Sequence, residues 1–274
     1  MEIDDSIKIA TSGVALVGEL IKAAGESPNV KEAGQNLGQT ALTITKTINN
    51  VMLPLAAVNF AFDKARVYFA EKFQQDLSQK ASNIPLEQIV EPKASVAGPA
   101  LQGLAFTHEE ANLKDMYLSL LATAMDGRVA SQAHPAFVEI IKQLDSDEAD
   151  LIRDILQSRM PIPIVEVRVA QVNQTGYSVL ETHLLNLINS DTSLAVENPR
   201  VPAMVDNWMR LGLVDVDYTK QLNAENSYLW VESRPEVVRH REKLGTDTHN
   251  ITFANGVIIK TALGNQFAKA VGLE

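Results

Sequence analysis

The sequence predicts a mainly α protein, with an N-terminal helical bundle followed by a winged-helix-like α+β C-terminal domain. Apolar residues recur every three or four positions from about residue 6 to residue 157, which is the period of amphipathic helices. After Ser158 the period falls to two, as in strands. The order that follows is helix, strand, helix, helix, strand, insertion, strand, helix, which is that of a winged helix. Three segments result: an amphipathic helical extension over 1–50, the bundle over 51–157, and the winged-helix-like domain over 158–274.

In the extension, Ile7, Val14, Val17, Leu20 and Ile21 share one helical face, ended by Gly25 and Pro28. Pro54 opens a long helix whose stripe is Leu55, Val58, Phe62, Ala65, Phe69 and Phe73. From Ser82 to Gly103, three prolines and two glycines predict a connector with short turns. Thr107 and Glu110 have the spacing of a capping box ahead of Leu113, Met116, Tyr117, Leu120, Leu121 and Ala124. That helix is expected to close in a left-handed turn at Asp126-Gly127. His134-Pro135 starts another helix, with Phe137, Ile140, Ile141 and Leu144 inward. Asp145 and Glu148 form a second capping box before Leu151, Ile152, Ile155 and Leu156.

The β-branched run Ile162, Ile164, Val165, Val167 and Val169 predicts a strand that ends at a turn over Asn173–Gly176. Leu180, Leu184, Leu185 and Ile188 predict a helix, as does Val201 to Leu211, with Pro202 near its start and Gly212 beyond its end. Leu213 to Val216 predicts a strand pairing with Gly256 to Thr261. A closing helix follows, carrying Leu263, Phe267, Ala268 and Val271. Between the wing strands lies a long insertion, 220–255, in which Tyr228-Leu229-Trp230-Val231 has the composition of an added strand.

Composition narrows the function. The chain of 274 residues is 46% hydrophobic and 21% charged, values of an ordinary globular protein. Its 24 Lys+Arg against 34 Asp+Glu give a net charge of −10, which repels nucleic-acid phosphate and anionic lipid. There is no cysteine, so disulfides, thiolate metal sites and Cys nucleophiles are excluded. The acidic start Met1-Glu2-Ile3-Asp4-Asp5 is unlike a secretory signal, so export is not expected. Charged residues interrupt both apolar segments before Phe62, so neither reads as a membrane span. Their small residues keep a membrane-perturbing effector as one alternative.

No nucleophile elbow, phosphate-binding loop, dinucleotide fingerprint or metal-ligand spacing is present in the sequence. His108 precedes Glu109 and Glu110 at a helix start, and His134 abuts a proline; both read as structural. His240, among Arg239, Arg241, Glu242 and Lys243, marks the one local charge concentration of interest. The carboxylates Asp145, Asp147, Glu148 and Asp150 crowd a helix N-terminus, where the dipole favours them. A DNA-binding regulator is the second alternative, with Arg200, Asn207 and Arg210 on the expected recognition helix. Charge disfavours it: residues 145–274 hold 12 Lys+Arg against 18 Asp+Glu.

The run LQGLAFTHEEANLKDMYLSLLATAMD over 101–126, HPAFVEIIKQL over 134–144, and Asp147-Glu148-Ala149 resemble the bacterial abortive infection alpha family. The tail Thr261-x-x-Gly264-x-x-Phe267 is similar to that family's closing pattern, so the likeness covers roughly residues 50 to 274. The resemblance implies a cytoplasmic protein of bacterial antiviral defence, in which infected cells stop growing or die. It brings no catalytic residue to this chain. The resulting expectation is a non-enzymatic phage-defence protein acting through protein–protein contacts, with a protein partner or a homo-oligomer and with no cofactor or metal. Arg200, Asn207, Trp208, Arg210, Tyr228 and Trp230 are the candidate partner-binding residues, because Trp, Tyr and Arg dominate contact energetics.

Overall fold

The computed structural model describes residues 62–244 and 248–274. The readings placed on residues before Phe62, namely the amphipathic extension, the start of the long helix at Pro54 and the small-residue segments, lie outside the described residues. The described chain divides into two compact units. The first takes residues up to Asp150 together with Lys269–Leu273, and the second takes Leu151–Ala268 and Glu274.

The first unit is helical. It contains α1 (Phe62–Glu71), α2 (Phe73–Lys80), α3 (Ala94–Thr107), α4 (Ala111–Met125), α5 (Pro135–Ile141) and the start of α6 (Ser146–Gln157). The expected long helix is broken at Lys72, where φ is −119°, so its stripe divides between α1 and α2. Ala65, Phe69 and Phe73 from that stripe are buried all the same. The α4 face is buried as its spacing predicts, with Leu113, Met116, Tyr117, Leu120, Leu121 and Ala124 inside. His134 caps α5 by accepting the Ala136 N–H at Nδ1, and Pro135 takes the first helical position. The Asp145–Glu148 box forms: Glu148 N–H donates to Asp145 at 2.8 Å and Asp145 N–H to Glu148 at 3.0 Å.

Three expectations fail here. The connector is instead helix α3 from Ala94 on, because its glycines serve packing. A Cβ on Gly103 would lie 2.3 Å from the Tyr117 hydroxyl, so glycine lets α3 and α4 approach. Pro99 forfeits a bond to the carbonyl of exposed Ser95, which water can reach. Thr107 makes no capping box, since it belongs to α3 and donates its hydroxyl to the Gly103 carbonyl; Glu110 is the residue that precedes α4. Gly127 is not left-handed, for α4 ends on Asp126 at φ −91°, and the Asp126 carboxylate binds the Arg128 guanidinium.

The second unit is α+β. It holds β1 (Ile162–Gln171), β2 (Ser178–Leu184), α7 (Val201–Arg210), β3 (Val214–Asp217), α8 (Pro235–Leu244), β4 (His249–Lys260) and α9 (Ala262–Ala270), which ends in the first unit. The strands form one antiparallel sheet in the order β2-β1-β4-β3. β3 pairs with the C-terminal part of β4, as expected, with Val214 opposite Lys260. Buried Val165, Val167, Leu184, Val231 and Val237 form a core cluster flanked by Leu180, Tyr228, Trp230, Ile251 and Phe253.

The expected first helix of a helix-turn-helix does not form. Residues 178–184 are strand β2, because the turn carrying Asn173 at φ 67° and Gly176 at φ 97° folds the chain back on β1. Leu180, Leu184 and Leu185 fit a helical period locally, but cross-strand pairing overrides it. Of the winged-helix expectation, the β3–β4 pairing and α7 form, and the helix-turn-helix does not. Tyr228 to Val231 adds no strand either. The chain makes a 3-10 turn over Leu229–Ser233, in which the Trp230 indole donates to the Ser227 carbonyl.

Candidate functional site

The second unit builds its site around Arg234-Pro235-Glu236. Pro235 supplies the fixed φ that opens α8, and Glu236 sits in the first turn, where the helix dipole favours a carboxylate. Arg234 is 1% exposed and Glu236 8% exposed. Their bidentate pair is formed by Nε at 3.1 Å and Nη2 at 2.6 Å. The same guanidinium donates from Nη1 to the Leu187 carbonyl and from Nη2 to the Val196 carbonyl, each at 2.9 Å.

Those two carbonyls are the feet of a hairpin arm, 187–196. Val196 N–H donates to the Leu187 carbonyl, Asn189 N–H to Leu194, and Ser193 N–H to Asn189. The Asn189 side chain closes the tip by accepting the N–H groups of Asp191 and Thr192 and the Thr192 hydroxyl. Ser193 takes the left-handed conformation at φ 56°. The arm is thus prefolded, yet its apolar side chains face water: Ile188 is 53% exposed, Leu194 67% and Val196 41%.

At the base of the arm lies a cavity of about 150 Å3. Leu184, Leu185 and Leu187 give it apolar walls, and Glu181, Glu197, Glu236, Arg234 and Arg239 give it charge. Arg239 grips Glu197 with Nη1 at 2.9 and 3.0 Å from its two oxygens, and that carboxylate raises the guanidinium pKa. Glu181 meets His240 Nε2 at 2.7 Å. His183, which also lines the cavity, is held at φ 52°. Its Nδ1 and the Tyr218 hydroxyl are hydrogen bonded at 3.1 Å, and its Nε2 lies 3.3 Å from Asp206. Burial pushes the Tyr218 phenol up to about 12, so it stays protonated at neutral pH.

The structure scatters the sequence-predicted site residues. Trp208 is completely buried on the inner face of α7 with Val201, Met204 and Val205, so it is core and offers a partner nothing. Tyr228 is half-buried; its hydroxyl accepts the Leu222 N–H and donates to the Gly256 carbonyl. Trp230 packs half-buried against the same cluster. Arg200 and Arg210 are exposed at the two ends of α7, and the Arg210 guanidinium donates to Asn207 at 2.6 Å. Sequence reasoning missed Arg234, Glu236, Glu181, Glu197 and the arm. Its interest in the charges around His240 did point to this place, since Arg239 and His240 hold Glu197 and Glu181.

Among the described residues, no group of three or more His, Asp and Glu is placed to hold a metal ion. Nor is any of their helices long and apolar enough to cross a membrane. The class so defined joins a helical unit to an α+β unit that displays a clamped arm over a charged cleft. The chain belongs to the abortive infection alpha family, whose model matches residues 65–271. No curated protein and no solved structure matches it.

The tail motif that carries the family likeness is structural here. Thr261 caps α9 by accepting the Gly264 N–H at 2.8 Å, and its own N–H donates to the Leu213 carbonyl. A Cβ on Gly264 would fall 2.0 Å from the Leu213 carbonyl oxygen. Phe267 is wholly buried. The motif fastens α9 beside β3 and carries no reactive group.

Proposed function

We propose that this protein is a cytoplasmic, non-enzymatic phage-defence protein of the abortive-infection type, working through protein–protein contact made by the arm and cleft of its second unit. Membership of the abortive infection alpha family supports the defence role. The contact mechanism rests on one observation: Ile188, Leu194 and Val196 stand exposed on a hairpin whose feet are tied to a buried guanidinium. Desolvating an ion pair is costly, and an exposed apolar hairpin gains nothing from water. The first cost is met in folding, and the second is offset when the arm inserts into a partner.

The test is a phage challenge of cells expressing the full chain. Ile188→Asp/Leu194→Asp lies outside the core and leaves the thermal midpoint unchanged, while protection is lost. Full protection by that variant at equal protein level refutes the contact reading.

A further inference from the structure

We infer that the cavity at the base of the arm is a subsite for a basic side chain, specifically the arginine of a protein partner; this rests on the contact reading above and names what the partner brings. Three carboxylates line the cavity, Glu181, Glu197 and Glu236, against two guanidiniums, Arg234 and Arg239, so carboxylates outnumber guanidiniums. Both guanidiniums are committed. Arg234 is spent on Glu236 and the two arm carbonyls, and Arg239 on Glu197. Glu181 differs, because its side-chain hydrogen bond is to the His240 imidazole and not to a guanidinium.

Size and walls agree with a side chain as occupant. The cavity of about 150 Å3 is smaller than the roughly 300–1,000 Å3 typical of small-molecule sites. Leu184, Leu185 and Leu187 offer apolar surface for the three methylenes of an arginine stem. A guanidinium at the end of that stem meets the planar Glu181 carboxylate in fork geometry, with the Glu197 carboxylate at the second side. The arm supplies apolar contact area, and the cavity selects partners that present a basic residue beside it.

The experiment titrates the full chain at pH 7.5 with N-acetyl-L-arginine amide and with its neutral isostere, N-acetyl-L-citrulline amide, read by backbone amide shifts. Saturable shifts over 181–187 and 197–198 are expected with the arginine compound, and binding at least about tenfold weaker with citrulline. Glu181→Gln is expected to bring the arginine compound down to the citrulline level. If Glu181→Gln loses its dispersed spectrum, Glu197→Gln at the rim carries the same criterion. No saturation, equal binding of the two compounds, or undiminished binding by the folded variant overturns the inference. Failure of the contact reading is separate: it shows as protection retained by Ile188→Asp/Leu194→Asp, whose arginine-compound binding matches wild type.

Discussion

Replacing Arg234 with Met tests the clamp directly. Met keeps most of the side-chain length but removes every donor. Glu236 is then left 8% exposed without its hydrogen-bonded guanidinium, and the Leu187 and Val196 carbonyls lose their 2.9 Å donors. Removing one member of a buried pair costs about 3–5 kcal/mol, and each stranded carbonyl adds about 1 kcal/mol unless it reaches water. The arm has few other ties, so its feet open and recover part of that second loss. We therefore expect about 3–5 kcal/mol from urea unfolding, together with faster hydrogen exchange at Val196 and Asn189, whose N–H groups bond across the arm. The double variant Arg234→Met/Glu236→Met removes the stranded charge and should recover most of the unfolding loss while the arm stays open. A single-variant cost below about 1 kcal/mol with unchanged exchange in the arm would refute the clamp.

Three further outcomes follow from packing and charge. Gly264→Ala forces a Cβ to within 2.0 Å of the Leu213 carbonyl oxygen, a rigid backbone atom, and should cost about 3 kcal/mol or prevent folding, read by thermal unfolding. Tyr117 is fully buried and its hydroxyl has no hydrogen-bond partner, so Tyr117→Phe should be neutral or stabilise by about 1 kcal/mol; a large loss would disprove that account. The Asp126 pKa is lowered by hydrogen bonds from the Arg128 side chain and backbone. A depressed carboxylate contributes stability above its unfolded pKa and loses it as pH falls through the folded one. Asp126→Asn should therefore flatten the acid limb of the melting-temperature profile below about pH 4 and lower the plateau at neutral pH.

The elements legible in the sequence were those whose signal is local. The Asp145–Glu148 box, the His134-Pro135 start and the stop at Gly212, left-handed at φ 72°, each depend on a few neighbouring residues and form as expected. The misread elements depend on distant partners. Residues 94–107 are helical despite Pro99 because Val96, Ala97, Ala100, Leu101 and Leu104 are buried, and Gly103 is there for Tyr117 rather than for a turn. Strand β2 exists because β1 pairs with it, which its leucine spacing conceals. The site was hidden for the same reason. Arg234 reaches Leu187 and Val196, and Glu181 reaches His240, across 47, 38 and 59 positions of sequence. Residue type alone does not locate an interface: Trp208 has the chemistry of a contact anchor, but α7 turns it inward at the end of the stripe Val201, Met204, Val205.

A loop presenting Ile188, Leu194 and Val196 without the clamp would offer the same contacts at a higher entropic cost. Ordering each side chain on binding takes about 0.5–1.5 kcal/mol, and a free loop pays that cost each time it binds. Here the Asn189 turn and the Arg234 bonds shift the cost into folding. Contact and preorganisation can thus be separated. Ile188→Asp/Leu194→Asp removes contact on an ordered arm, whereas Arg234→Met/Glu236→Met keeps the apolar side chains and releases the arm. If preorganisation matters, the second pair weakens protection in phage challenge while its melting temperature stays near wild type. Undiminished protection from a released arm would mean that the clamp stabilises the unit and does nothing for recognition.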